Sequence, residues 1–515
     1  MPSTALLDAL AAAAAIAILA AWLFRRQHSS RLPLPPGPPR LPILGNALDV
    51  VANGASQAYL KMGQKLGSDI ICLDAMGMHL VILNSREAAT DLLEKRSTIY
   101  SDRPWMTMIC ELIGLGWSLP LAPYGDDWKL SRKMFHHELN LGTAEKFRDM
   151  ERTEAHVLLY KLLHRPEEFL GHIRHLVGAT IVRMAYGIDA QPEDDPYVRL
   201  AEDAIQGPSQ AATPGTYLVD TWPILKHLPS WFPGAGFKRD AVEFRRLIDT
   251  LLNTPYENMQ DRMRKGETPD CAASSLLEVF GDGISADANT ERVLKNTLAS
   301  MYIAGTDTSV STLSTFFLAM VLNPEVQAKA QMELDAVSGG HRLPVFTDQV
   351  SMPYITAIMM ESLRWKPVVP LNLPHMSTEG GIYRGYYIPK GSIVCSNDWA
   401  ILHDERVYPN PSAFDPDRFM KDGAINAEVP HPETAAFGFG RRICPGRYMA
   451  HDMLWITIAS VLAIFTISKE VNDAGEEVMP ETCSLPGFLS HPKPFKCTIK
   501  PRSQSHVALV EDATN

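Results

Sequence analysis

Along the chain, apolar positions recur at helical spacing over several long stretches, separated by short strand-like runs and proline-punctuated loops. Residues 6–24 are apolar apart from Asp8 and are followed at once by Arg25 and Arg26. Residues 70–73 and 79–83 are strand-like runs on either side of Gly77, which predicts a β-hairpin. Helical patterning covers 85–100, 124–133, 145–187, 291–322, 354–364 and 448–467. The stretch 105–123 mixes apolar residues with Gly and Pro and reads as a loop. In 213–237, Tyr217, Leu218, Val219, Trp222, Leu228, Trp231 and Phe232 are interrupted by Pro223, Pro229 and Pro233. That pattern fits either a buried irregular loop or aromatic side chains that dip into a membrane interface. A second hairpin is expected at 386–395, turned by Pro389-Lys390-Gly391, and a β-turn at 484–489. Beyond Arg502, residues 503–515 read as a flexible tail.

The first 31 residues carry an apolar run about as long as a bilayer requires, and they read as a membrane anchor. A cleavable signal peptide is the competing reading, but such peptides place positive charge before the apolar run and here the arginines follow it. Arg25, Arg26 and Arg31 then keep the body on the cytosolic side, and the Ala-rich run leaves monotopic attachment open. Residues 32–46, rich in proline, are expected to form a stiff hinge. Composition adds bounds: 46% hydrophobic and 21% charged residues describe a chain able to bury a large core. A net charge of −11 gives no reason to expect nucleic acid. Seven scattered cysteines without a C-x-x-C pair argue against a disulfide framework.

Candidate chemistry centres on Cys444. It lies in Phe437-Gly438-Phe439-Gly440-Arg441-Arg442-Ile443-Cys444-Pro445-Gly446, a glycine-rich bend that runs into the apolar stretch 448–467. Pro445 suits a first helical turn, and a thiol at a helix N-terminus is expected to favour the thiolate. Arg442 adds positive charge for an anionic ligand. A buried structural cysteine in a glycine turn is the alternative. Inside the apolar 291–322 helix lies Ala304-Gly305-Thr306-Asp307-Thr308-Ser309. Thr308 can bond back to the Ala304 carbonyl and Gly305 weakens the turn, so a local bulge is expected. Trp128 and Arg132, four apart, share a helix face, as do Glu361 and Arg364. His375 lies in a proline-flanked loop.

The 437–446 segment resembles the haem-binding loop of the cytochrome P-450 family, F-x-x-G-x-R-x-C-x-G, at Phe437, Gly440, Arg442, Cys444 and Gly446. The resemblance implies a mainly α fold with a smaller β-rich lobe, as one haem domain over 47–502. It makes Cys444 the axial ligand of haem b and Asp307 with Thr308 an acid–alcohol pair that handles protons. Trp128, Arg132, His375 and Arg442 become donors to the haem propionates. Glu361, Arg364 and Arg418 become a buried brace, with Asp417 standing where Glu is commoner in the family. The implied activity is hydroxylation of a small, mostly apolar molecule, in the style of fungal secondary-metabolite members. No dinucleotide fingerprint is present, so electrons are expected from NADPH-cytochrome P-450 reductase, with cytochrome b5 as a second candidate donor. Lys129, Lys133, Arg441 and Arg447 are candidates for its docking patch, and the endoplasmic reticulum membrane is the expected location. A peroxide-rearranging isomerase or dehydratase and a haem sensor are the alternatives; the presence of Thr308 counts against the first.

Overall fold

The computed structural model describes residues 32–283 and 286–514. The reading of residues 1–31 as an anchor lies outside them. Among the described residues no helix is long and apolar enough to cross a membrane.

The helical lobe is assembled from α1 (Ala55–Leu66), α2 (Asp126–Leu139), α3 (Arg148–His164), α4 (Phe169–Tyr186), α5 (Pro196–Ala211), α6 (Gly236–Arg264), α7 (Ala272–Phe280), α8 (Ala288–Leu322), α9 (Pro324–Ser338), α10 (Pro353–Trp365), α11 (Arg447–Ile464) and α12 (Gln504–Thr514). Its axis is α8, 35 residues long. Asp287 caps it by accepting the amides of Asn289 and Thr290, and Pro324 opens the next helix directly after Asn323. A helix apolar on every side must be enclosed, and α8 is packed by α2, α4, α5, α10 and α11. α11 is enclosed likewise, buried without interruption from Asp452 to Ile464.

The β lobe joins β1 (Ile70–Ala75), β2 (Met78–Leu83), β3 (His375–Met376) and β6 (Ile393–Ser396) in the order β1-β2-β6-β3, while β4 (Gly381–Tyr383) pairs with β5 (Tyr386–Ile388). The β1–β2 hairpin is as expected. The 386–395 hairpin is not: β5 turns back on β4 through Arg384 and Gly385, both at positive φ, and β6 runs parallel to β2. β6 goes to the buried sheet because Val394, Cys395 and Ser396 are all core-facing. Near the C-terminus, β7 (Phe465–Val471) pairs antiparallel with β8 (Cys497–Pro501).

Both flanking segments are held to the body. The proline segment, expected to be stiff, is strapped to the β lobe. Extended proline-rich backbone leaves its carbonyls unused, and here Pro33 O accepts the Tyr387 amide and Pro36 O the Cys72 amide, each at 2.8 Å. The 503–515 tail is not irregular: Gln504–Thr514 is α12, which buries Val510 against the body beside α3. Arg502 pins its start through Asp335 and the Ala463 carbonyl.

Candidate active site

The cysteine loop is closed by the Cys444 amide donating to the Phe437 carbonyl at 2.8 Å. Gly440 has φ +58°, and a Cβ there would lie 2.0 Å from the Leu93 carbonyl oxygen, so only glycine fits. Gly446 stands directly before α11, and a Cβ added there would meet nothing within 4 Å. Phe437 is half-buried at the start of the loop. Burial pushes the Cys444 thiol up, while the Gly446 amide and the charges of Arg132 and Arg447 oppose it less strongly. The helix N-terminus therefore does not by itself yield the expected thiolate; a bound cation would. Among the described residues no group of three or more His, Cys, Asp or Glu could hold a metal ion. Cys444 can thus offer a metal one protein sulfur, and the remaining ligands must come with the metal.

Around this loop the structure gathers positive charge. Arg132, on α2, donates to the Ile443 carbonyl at 2.6 Å, next to Cys444. Arg442 donates to the carbonyls of Ser101, Leu119 and Ala122, and its guanidinium lies 4.5 Å from the Trp128 ring centre. His375, on β3, is buried, with Nδ1 2.7 Å from the Tyr100 carbonyl. Arg103 is buried too and donates to the carbonyls of Pro120, Leu373 and Pro374. Burial pushes Arg103 down to about 9, with Arg442 adding repulsion, and pushes Arg442 down to about 10 despite Asp102 and Tyr124. Burial followed by Arg103 holds the His375 imidazole well below its ordinary value. Among the described residues, none of Arg103, Arg132 and Arg442 has a carboxylate within ion-pair distance, and the Trp128 indole N–H is buried without a partner. Enclosed cations facing only neutral carbonyls need an anion to complete them.

Bonds across the interior tie α8 to this cluster. The Leu119 amide donates to Ser300 Oγ at 3.1 Å, while the Leu119 carbonyl accepts from Arg442. Thr297 Oγ1 donates to Ser131 Oγ between Trp128 and Arg132 on α2. One turn beyond Ser300, Ala304 is exposed and Gly305, Asp307 and Thr308 are half-exposed, while every other residue from Thr297 to Val321 is buried. Thr308 Oγ1 donates to the Ala304 carbonyl at 3.0 Å, as expected, yet α8 runs unbroken and no bulge forms. Gly305 serves packing instead: a Cβ would stand 2.8 Å from Ile181 Cδ1, so its absence lets α4 close on α8. Asp307 does not bond to Thr308. Its Oδ2 accepts from His491 Nε2 at 3.0 Å, and its Oδ1 lies 3.6 Å from Arg174.

The brace is assembled in full. Glu361 takes two bonds from Arg364, at 2.6 and 2.7 Å, one from Arg418 at 3.2 Å, and the Asp415 amide at 2.8 Å. Asp417 is turned outward and pairs with Lys329. Lys129, Lys133 and Arg441 are exposed, while Arg447 is half-buried and donates to the Cys444 carbonyl. Sequence reading missed Arg103, His491 and Arg174. Arg103 follows Asp102 in a loop without periodicity, and the other two meet their partner only through the fold.

A cytochrome P450 family model matches residues 35–499. The chain is 44% identical over 501 residues to a cytochrome P450 monooxygenase of Armillaria gallica, covering 96% of this chain and 97% of that one. It is 43% identical over 505 residues to cytochrome P450 monooxygenase 208 of Postia placenta, covering 98% and 97%. A tryptamine 4-monooxygenase of Psilocybe cyanescens is 39% identical over 484 residues, covering 93% and 95%.

Proposed function

The chain belongs to the cytochrome P450 family of haem-thiolate monooxygenases, and from that premise we propose that it hydroxylates a small, mostly apolar organic molecule of secondary-metabolite type. The overall change is R–H + O2 + 2e− + 2H+ → R–OH + H2O. Electrons come from a separate NADPH-dependent reductase. The observation that carries the reading is a cluster of three guanidiniums without carboxylate partners, Arg103 buried and Arg132 and Arg442 half-buried, with one orphaned indole N–H beside a single cysteine loop. That donor set matches a flat, doubly carboxylated macrocycle that brings its own iron.

In this reading Cys444 would ligate the iron of a bound haem, with Phe437 and Gly446 on either side of it in the loop. Arg132, Arg442, His375 and Trp128 hold the propionates, and Arg103 joins them. When bound, haem supplies dioxygen activation, with the thiolate pushing electron density toward O–O cleavage. The Thr308 hydroxyl, donating to the Ala304 carbonyl, keeps its lone pairs free to accept a proton and pass its own onward. Asp307, one residue earlier, takes protons from the solvent side.

The tryptamine 4-monooxygenase relative is named for a small aromatic amine, which supports a substrate of comparable size. Residues 1–31 are proposed to anchor the chain in the endoplasmic reticulum membrane with the body in the cytosol. Trp231 and Ile224 are 78% and 73% exposed, with Leu218, Trp222 and Phe232 also open, a cluster suited to a lipid interface. Lys129, Lys133, Arg441 and Arg447 form the proposed reductase contact. The deciding experiment is purification with haem and reductase, followed by a screen of indoles, terpenoids and polyketides for displacement of the iron-bound water in the spectrum. A colourless chain, or a reduced carbon monoxide adduct absorbing like an imidazole-ligated centre, would sink the assignment.

A further inference from the structure

A cavity of about 570 Å³ opens beside α8, lined by Arg174 of α4, Glu202 and Gln206 of α5, Asp307, and Leu489 and His491 of the 484–492 turn. Asp307 is where this cavity meets α8. Its carboxylate has two partners of unequal strength. Arg174 stands 3.6 Å away and its side chain is 40% exposed, so solvent screens the pair and a long flexible side chain must be ordered to keep it. His491 donates through Nε2 at 3.0 Å, and both side chains are only about 15% exposed.

The imidazole is also fixed by its own backbone. The Leu485 amide donates to the His491 carbonyl at 2.7 Å, and Ser484 bridges to Pro492. The Ser490 amide donates to the Val368 carbonyl at 2.8 Å, and the Ser490 carbonyl accepts Ser311 Oγ from α8, one turn beyond Asp307. The turn is thus stapled to the same helix that carries Asp307. A donor mounted on so constrained a backbone holds its acceptor in one orientation.

We propose that His491 is a positioning residue for Asp307, holding its carboxylate on the cavity so that protons for the reaction enter from cavity water through that carboxylate. This rests on the reading of Asp307 as the proton-handling acid. In each pass a proton from bulk solvent reaches an Asp307 oxygen through cavity water and the same carboxyl gives one up toward Thr308, so Asp307 and the relaying water both end unchanged. The electrons come from the reductase. Glu202 lines the same cavity. Burial raises its carboxyl and Asp307 adds to the rise, with Arg174 opposing, so it keeps a proton more readily than an open glutamate.

The test uses the full-length haem-loaded chain with reductase and NADPH, and no added organic substrate. The readouts are hydrogen peroxide released per NADPH oxidised, and the solvent deuterium isotope effect on that ratio. A hydrogen bond of ordinary net strength corresponds to roughly 2- to 12-fold. His491→Ala is expected to raise the peroxide share within that range and to change its isotope effect, at wild-type haem content and melting temperature. His491→Gln, which places an uncharged N–H donor near the Nε2 position, is expected to restore wild-type behaviour. An unchanged ratio and isotope effect in His491→Ala would overturn the proposal. So would losses of haem or stability that alone account for the change. Asp307→Asn separates the two levels: if it raises peroxide and His491→Ala does not, the positioning role fails alone. If Asp307→Asn itself changes nothing, the relay reading fails with it.

Discussion

Arg364→Lys keeps the charge of the buried brace and removes its shape. The guanidinium makes five bonds: Nε and Nη2 to the two Glu361 oxygens at 2.6 and 2.7 Å, Nη1 to the Leu402 and Pro411 carbonyls at 3.1 and 2.9 Å, and Nη2 to Ala413 at 3.0 Å. A lysine ammonium has three donors and cannot span both a bidentate carboxylate and three carbonyls. At least two of the five bonds are then lost. Taking about 1.5 kcal/mol for each lost bond to a charged donor gives a destabilisation on the order of 3 kcal/mol, or ~100-fold in the unfolding equilibrium. That is a large share of the roughly 5–15 kcal/mol that holds a typical domain together. The assay is guanidinium chloride unfolding of the haem-loaded protein, followed by tryptophan fluorescence and by the haem band. Because the Pro411 and Ala413 carbonyls lead into the segment carrying Arg418, the haem band should be lost no later than the fluorescence change. A loss below about 1 kcal/mol would show that charge alone suffices, and the geometric argument would fall.

Other substitutions probe the remaining parts. Arg103→Met should leave the haem-free chain within about 2 kcal/mol of wild type, since relief of a buried charge offsets the lost carbonyl bonds, yet speed haem loss to a scavenging apoprotein; equal retention would remove Arg103 from the propionate set. Thr308→Val conserves shape and deletes the hydroxyl, so hydrogen peroxide released per NADPH should rise about tenfold or more with haem content unchanged. Gly440→Ala forces a side chain into a positive-φ turn against Leu93 O, and should cost at least about 2 kcal/mol, read as a lowered melting temperature. His451 adds a pH dependence. Burial works to lower its value, but its 2.7 Å bond to Glu433 and that carboxylate's charge prevail and raise it. Its contribution to stability is therefore complete below the unfolded value of about 6.5 and fades as pH rises through the higher folded value. Glu433→Gln should flatten that part of the stability curve between pH 6 and 8, measured by unfolding at stepped pH.

What could be read from the chain, and what could not, divides by sequence separation. The cysteine loop, the Trp128–Arg132 pair and the Glu361–Arg364 pair are local: spacing puts each on one turn or one helix face, and the resemblance to the cytochrome P450 family implies their roles. The β1–β2 hairpin is local for the same reason. The errors fall where distant segments compete for a partner. β6 could have folded back on β5, but three enclosed side chains favoured the buried sheet beside β2, more than three hundred residues earlier. The stiffness of the proline segment is legible in its composition, but its partners are not, because the amides that meet its carbonyls belong to the distant Cys72 and Tyr387. The tail looked irregular because its apolar face, with Val507 and Val510, is too short to show without the α3 surface that covers it.

Asp307 shows how this division bears on function. The proton-handling role proposed for it comes from the resemblance of Asp307 and Thr308 to the family's acid–alcohol pair; the residues by themselves fit a kinked helix with a satisfied hydroxyl. The orientation of Asp307 is set by His491, 184 residues away, and by Arg174 on another helix. A carboxylate next to an alcohol in sequence suggests a direct pair; the structure turns the two apart, the hydroxyl along α8 and the carboxylate toward the cavity. Under the proposed relay the two groups need not touch at rest: the carboxylate meets the cavity on one side and the hydroxyl lies on the other, an arrangement that admits protons while keeping bulk water from the reacting centre.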